Sequence, residues 1–197
     1  YFKRNSYFFA YSDTIKDDST LLFVKKLINN QFFREALLEI VRVEYQINSF
    51  NIDLFINKII CLKAIGEYEK ALFEYDNKCP ELYKNNSELA YQIALIQYKL
   101  QNFDNALKST FIALETCNDS FCKPKILLLN GLLYANKNDW QNAMKIYKTL
   151  SAYEHYQNVS DMNFQLSENA INQRSKSKTV AGVISIIPGL GYAYTGH

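Results

Sequence analysis

A chain of 197 residues that is 48% hydrophobic and 15% aromatic can build a sizeable core or a short array, and it is not a disordered tail. A net charge of +2 with both signs interspersed leaves no electrostatic footprint for nucleic acid. Six glycines and three prolines are too few for the many turns of a sandwich or barrel.

The N-terminal residues 1–16 show no clear periodicity. Phe2-Lys3-Arg4 followed by Tyr7-Phe8-Phe9-Ala10 reads either as the remnant of a secretory signal cut near Ala10 or as a frayed segment. The start at Tyr1 and the stop at His197 read as a fragment or a processed form. Asp13, Asp17 and Asp18 suit a helix N-terminus. A first helix is expected from about Asp18 to Asn30, with Leu21, Val24, Leu27 and Ile28 on one face. A second carries Phe33, Ala36, Leu37, Ile40, Val41 and Tyr45.

Asn51 and Asp53 offer caps for a third helix holding Ile52, Phe55, Ile56, Ile59, Ile60 and Leu62. Gly66 permits a left-handed turn before a helix spanning roughly Tyr68 to Lys78. Pro80 and Asn85-Asn86 mark a longer connection. Ser87 is expected to cap a helix with Leu89, Ala90, Ile93, Ala94, Leu95 and Tyr98, and the next runs from about Phe103 to Thr116. Pro124 suits the first residue of a helix with Leu127, Leu128, Gly131, Leu132 and Tyr134. A further helix runs from about Trp140 to Tyr153 and a last amphipathic one spans 160–173, where it would cap the array.

Within this order one pattern recurs: Phe33-Arg34-Glu35-Ala36-Leu37, Tyr68-Glu69-Lys70-Ala71-Leu72, Phe103-Asp104-Asn105-Ala106-Leu107 and Trp140-Gln141-Asn142-Ala143-Met144. Its alanines are 35, 35 and 37 residues apart. A fixed period of that size marks an array of helical hairpins, each too small to bury its apolar faces without a neighbour. A small side chain at the crossing lets two helix axes approach to the lower end of the roughly 8–10 Å range.

Cys61, Cys79, Cys117 and Cys122 allow two disulfides in three pairings. Cys117 and Cys122, which enclose a short loop, are the pair that the spacing favours, and buried free thiols are the alternative. The absence of Cys-x-x-Cys and the remoteness of His155 and His197 in sequence argue against zinc. No cofactor motif, paired-carboxylate site or Ser/His/Asp set is evident, so no catalytic residue is assigned and an enzyme is not expected.

The repeat resembles the tetratricopeptide repeat over about residues 16–155. Aligned on the alanines, Val24, Ile59, Ala94 and Gly131 take that family's small position in the first helix of each hairpin. Leu27, Leu62 and Tyr134 take the large one, and Tyr75 and Tyr147 match the aromatic of the second helix. Val24 and Ile59 are bulkier than the family's usual residue, and no unit ends in its proline.

The resemblance implies an all-α, right-handed solenoid of about four hairpins (17–50, 51–86, 87–122, 123–155) plus a C-terminal helix within 156–178. It further implies a non-enzymatic scaffold whose inner groove takes a protein or peptide partner. The family's groove positions fall on Leu21, Lys25, Ile28, Ile56, Ile60, Lys63, Tyr91, Leu95, Tyr98, Lys99, Leu128 and Leu132. The alternative is that the chain's own C-terminal segment fills this groove and the array serves as a spacer.

After Gln173 the composition changes. Arg174, Lys176 and Lys178 are followed by uncharged residues from Thr179 to Gly196, among them Val183, Ile184, Ile186, Ile187, Pro188, Gly189, Gly191, Tyr192 and Tyr194. Pro188-Gly189 would break a helix, so the segment 179–197 reads as a membrane-entry or re-entrant stretch, the alternative being a buried or disordered hydrophobic tail. Its Pro-Gly-x-Gly-x-x-Tyr string is similar to the opening of small two-span membrane domains that follow tetratricopeptide repeats in bacterial envelope proteins. That likeness implies membrane association at a periplasm-facing location, with a cytoplasmic location as the alternative.

Overall fold

The amphipathic runs become helices with the expected boundaries at most ends. The structure, a computed structural model, describes residues 19–47 and 49–172, and among these there is helix and no strand. Helix α1 covers 19–29. It is followed by α2 (Phe33–Glu44), α3 (Ile52–Ala64), α4 (Tyr68–Lys78), the single turn α5 (Glu81–Lys84), α6 (Ser87–Lys99) and α7 (Phe103–Thr116). Then come α8 (Cys122–Asn136), α9 (Trp140–Leu150), a 3-10 turn (Glu154–Tyr156) and α10 (Gln157–Asn172).

The period is written into the backbone. Gln31, Gly66, Gln101 and Asn138 all have positive φ, at 63°, 83°, 59° and 59°. The N–H of the residue after each one donates to a carbonyl five residues back: Phe32 to Leu27, Glu67 to Leu62, Asn102 to Gln97 and Asp139 to Tyr134, at 2.8–2.9 Å. The positive-φ residue itself donates three residues back. This paired bonding is the Schellman arrangement, which satisfies the last carbonyls of one helix as the chain reverses. Five residues after each positive-φ residue stands a signature alanine. Its N–H closes the first turn of the following helix onto Phe32, Glu67, Asn102 or Asp139, at 2.9–3.0 Å. Ala36, Ala71, Ala106 and Ala143 are all fully buried. Turn and alanine therefore form one repeated unit, and α1/α2, α3/α4, α6/α7 and α8/α9 are successive hairpins.

Three expectations shift in detail. Asn86, not Ser87, caps α6, its side chain accepting from Leu89 N–H at 3.0 Å. The Ser87 hydroxyl instead donates to the Ala113 carbonyl at 2.8 Å, tying α6 to α7. Helix α8 begins at Cys122, so Pro124 is its third residue; a proline there still withholds an N–H that has no helical partner. Helix α9 stops at Leu150, and the 3-10 turn turns the chain into α10.

The chain divides into two compact units at the Cys79–Pro80 bond, so the connection 80–86 belongs with the second. In unit 1, Val24 of α1 packs with Ala36, Ile40 and Val43 of α2 and with Leu54 and Cys61 of α3. In unit 2, Ala94 and Leu95 of α6 pack with Ala106 and Leu107 of α7 and with Leu129 and Leu133 of α8. An adjoining face of α8 contributes Leu128 and Leu132 to a second cluster with Ala143, Tyr147 and Leu150 of α9. Gly131 lies against the Tyr147 ring: a Cβ at this position would sit 2.5 Å from Cε1. The pairing of a residue lacking a side chain with a buried aromatic is what allows α8 and α9 to approach.

Candidate functional site

The inner-face positions are the first candidates, and burial separates them. Lys25 and Lys99 are exposed. Leu21, Ile28, Ile60, Tyr91 and Tyr98 are half-buried, and Ile56 and Lys63 are buried. In unit 2, Leu95, Leu128 and Leu132 are core residues. Tyr91, Leu95 and Tyr98 share the α6–α7–α8 cluster. Leu128 and Leu132 share the α8–α9 cluster, against which Tyr156, Val159 and Phe164 of the 3-10 turn and α10 also pack. A buried hydrogen bond from the Ser160 hydroxyl to the Tyr147 carbonyl fastens α10 to α9. Burial pushes the phenols of Tyr91, Tyr147 and Tyr156 up, and for Tyr91 the nearby Glu88 and Tyr156 add to the effect. The aliphatic positions expected to line a groove in unit 2 are thus packed against the chain's own helices. The resemblance that assigned them to a groove carries no information on what covers each position.

Two cavities lie within single units. The first, of about 190 Å³, is in unit 1. Its walls are apolar at Ile47, Phe50, Leu54 and Phe55, with the Phe50 and Phe55 ring centroids 5.3 Å apart. Its floor is charged: Lys58 Nζ lies 2.8 Å from Glu44 Oε2 and 2.7 Å from Glu74 Oε2, and Lys78 Nζ lies 2.7 Å from Glu74 Oε1. The Lys58 and Glu74 side chains are each only 8% exposed. Burial opposes the Lys58 charge, but the two carboxylates outweigh it and hold the ammonium above its ordinary value. Burial likewise opposes charge on Glu74, and Lys58 and Lys78 outweigh it, holding this carboxyl below the usual range. The network joins the end of α2 to α3 and α4. It was not anticipated, although a lysine inside the apolar run from Leu54 to Leu62 is a signal for a buried, paired charge.

The second cavity, of about 150 Å³, is in unit 2. One wall is the start of α6 at Ser87, Glu88 and Tyr91. The other is the α7–α8 turn with Asp119, Phe121 and Cys122 and the first turn of α8 with Lys125. A disulfide joins Cys117 to Cys122 across this turn, the pairing that the spacing favoured. Cys61 and Cys79 are buried thiols.

The residues assigned to a membrane segment, Val183 to Tyr194, lie outside the described residues. Among the described residues no helix is long and apolar enough to cross a membrane, and no group of three or more His, Cys, Asp or Glu residues is placed to hold a metal ion. Comparison of the chain with known protein families, with curated proteins and with solved structures finds no significant match to any of them.

Proposed function

We propose that the chain is a non-enzymatic, tetratricopeptide-like scaffold whose hairpins stack as a right-handed solenoid, and that it recognises an acidic, amphipathic segment of a protein partner at a bacterial envelope membrane. The reading rests on the turn–alanine unit repeated four times at the same spacing. A period of about 35 residues built from hairpins is how arrays of this kind make an extended recognition surface. With the aliphatic positions of unit 2 buried, recognition is assigned to unit 1. There Leu38 and Val41 of α2 and Tyr45, the residue that ends it, recur at i, i+3 and i+7, with Leu38 73% and Tyr45 92% exposed. Exposed Lys25, Lys26, Arg34 and Arg42 on α1 and α2 match acidic flanks on the partner. The disulfide fits an oxidising, extracytoplasmic compartment. The tether is assigned to residues 179–197.

Selection of helical peptides against the full chain tests this. Enriched peptides should share apolar residues at helical spacing with acidic neighbours, and Leu38→Ser/Tyr45→Ser should weaken them at least about tenfold, the scale of removing two buried anchors. Peptides that bind this variant as tightly as the parent would sink the assignment. Vesicle flotation of the full chain against residues 1–178 tests the tether, and equal partitioning would reject it.

A second reading, a spacer whose groove is filled by its own C-terminal segment, is favoured by the packing of Tyr156 and Phe164 on the Leu128–Leu132 cluster. Under it, Tyr156→Ser/Phe164→Ser raises hydrophobic-dye binding while peptide selection against the parent yields nothing.

A further inference from the structure

The junctions between hairpins lack the common device found within them. Asn51 caps α3 and Asn86 caps α6, and each side chain accepts the N–H three residues on. The α7–α8 junction has no such cap. Phe121, before α8, has helical backbone angles and makes no capping side-chain bond, and α7, which Cys117 follows, has no basic side chain in its last turn. Asp119 Oδ1 accepts the Phe121 N–H at 2.9 Å, which shapes the loop locally but ties neither helix to the other. The covalent fastening across this junction is the Cys117–Cys122 disulfide, with the two Cα atoms 6.5 Å apart, beside the apolar packing of Ala113 and Cys117 on Ile126. The turn it closes carries Phe121, 77% exposed, and forms one wall of the 150 Å³ cavity. Its two sulfur-bearing residues differ in access: Cys117 is 4% exposed, whereas Cys122 is partly open to solvent. The remaining thiols are buried within unit 1, where burial pushes the Cys61 thiol up to about 12. Thiol exchange under native conditions is therefore confined to one turn.

We propose that Cys117–Cys122 is a redox-responsive latch that couples the end of α7 to the start of α8 and holds the turn against the mouth of the α6–α8 cavity. The reductant is a dithiol. Its thiolate attacks Sγ of Cys122, the accessible sulfur, forming a mixed disulfide and expelling the Cys117 thiolate, which takes up a proton. The second thiol of the reductant then closes its own disulfide and releases Cys122 as a thiol. One disulfide and two thiols enter, one disulfide and two thiols leave, and two electrons and two protons have moved to the protein. The hairpins on either side do not depend on the bridge. Each keeps its own positive-φ turn, and the Ala94–Ala106–Leu133 and Leu132–Ala143–Tyr147 clusters contain no cysteine; the cluster at the junction, Ala90, Ala113 and Ile126, does include Cys117, which remains a small apolar residue when reduced. Reduction frees the turn and leaves the helices packed.

The test uses the oxidised full chain and graded dithiothreitol, with maleimide labelling read by mass and amide exchange read by peptide. The expected result is two labels, mapping to Cys117 and Cys122, at reductant levels that leave the helical circular dichroism unchanged. Exchange across residues 118–126 should rise at least tenfold while residues 103–113 and 140–150 keep their protection. The Cys117→Ser/Cys122→Ser variant should show the same loosened turn without reductant. Three outcomes overturn the proposal. The bridge resists reduction until denaturant is added; exchange rises across the whole of unit 2 or nowhere; or the double variant fails to fold, which would make the bridge a structural staple.

Discussion

Units 1 and 2 share the same hairpin turn and hold their helices together by different means. In unit 1 three successive helices converge on charge: Glu44 at the end of α2, Lys58 in α3 and Glu74 in α4. In unit 2 the charged tie between helices, from Lys137 at the end of α8 to Asp104 of α7, is an exposed one, and the buried work falls to neutral groups. Tyr147 fills the space left by Gly131, Tyr91 and Tyr156 are held protonated by burial, and a disulfide bridges the one uncapped junction. The repeated part is the turn and the alanine beneath it, and the attachments around them vary. This division follows from what each part does. A Schellman turn and a small residue at the crossing fix the direction and separation of two helices, leaving little latitude. The side chains that fill the remaining space need only match in volume and satisfy their polar atoms, and many combinations do.

The largest expected effect comes from removing the centre of the charged network. Lys58→Ala leaves Glu44 and Glu74 facing each other with Glu74 buried, and should destabilise unit 1 by about 3–5 kcal/mol. The informative control is Lys58→Met combined with Glu74→Leu. Glu44 then keeps solvent, being one-third exposed on its side chain, and Lys78 keeps solvent at 55%. The double variant should recover most of the loss, since replacing a buried pair by apolar groups of similar volume is often neutral. Urea unfolding measures both. A single substitution with no effect would mean the network contributes nothing to unit 1, and the contrast between the units would reduce to composition.

In unit 2 the matching test is Gly131→Val. At an ordinary helical position, replacing glycine gains backbone entropy. Here the new Cβ would press on Tyr147, which is fully buried and has no free direction in which to move. The expected loss is about 1–3 kcal/mol, the range for overpacking. Combining it with Tyr147→Leu should return part of that loss, because the shorter side chain vacates the ring position. Recovery in the double variant would identify the contact as the cause.

The sequence carried the helix pairs more fully than their surfaces. The period of the alanines named every hairpin, and Gly66 announced its turn by residue type. Gln31 and Gln101, in the same conformation, have no such signature, because glutamine rarely adopts positive φ and the conformation there is imposed by the helices on either side. The start of α6 was misjudged by one residue because Asn86 and Ser87 are both good caps and only their geometry separates the roles. The inner-face positions were the least legible. Leu128 and Leu132 were placed in a groove by the resemblance, but the packing of Tyr156, Val159 and Phe164 over their cluster depends on a chain reversal that helix spacing does not encode.

Acid should separate the units next. The Glu74 carboxyl is held below its ordinary range, so its contribution is present above the unfolded value and is lost as pH falls through the folded one. Lys58 is held above its ordinary value, so its contribution is intact at low and neutral pH and is lost only as pH rises through the folded value. In unit 2 the Asp104 carboxyl is also held below its ordinary range by Lys137, but it is exposed and solvent screens the pair, so acid removes little there. The buried tyrosines of unit 2 are protonated at neutral and acid pH in both folded and unfolded chains, and they favour folding less only once the unfolded phenols ionise, above about pH 10. Unit 1 should therefore weaken first as pH drops below about 4. The single tryptophan, Trp140, lies in unit 2 and reports on it alone. At a fixed intermediate urea concentration, circular dichroism should lose amplitude at a higher pH than the Trp140 emission shifts. Coincident transitions would show that the two units unfold together, and the reverse order would contradict the charge assignment.

The smallest expected effect concerns the element the units share. Gln101 sits at φ 59° with its side chain in solvent, a conformation that costs an ordinary residue about 1–2 kcal/mol relative to the right-handed helix and glycine almost nothing. Replacing it by glycine relieves that strain but gives the unfolded chain more freedom, so the net gain should be about 0.5–1 kcal/mol. Gln31→Gly in unit 1 has the same geometry at φ 63° and should gain a similar amount, whereas Gly66→Ala should lose about as much although no atom lies within 4 Å of its added Cβ. Equal and opposite changes at three turns in two differently assembled units, read as shifts in the urea midpoint, would isolate the backbone term common to both. If Gln101→Gly destabilised while Gln31→Gly stabilised, the turns would not be equivalent, and the repeat would be one of spacing alone.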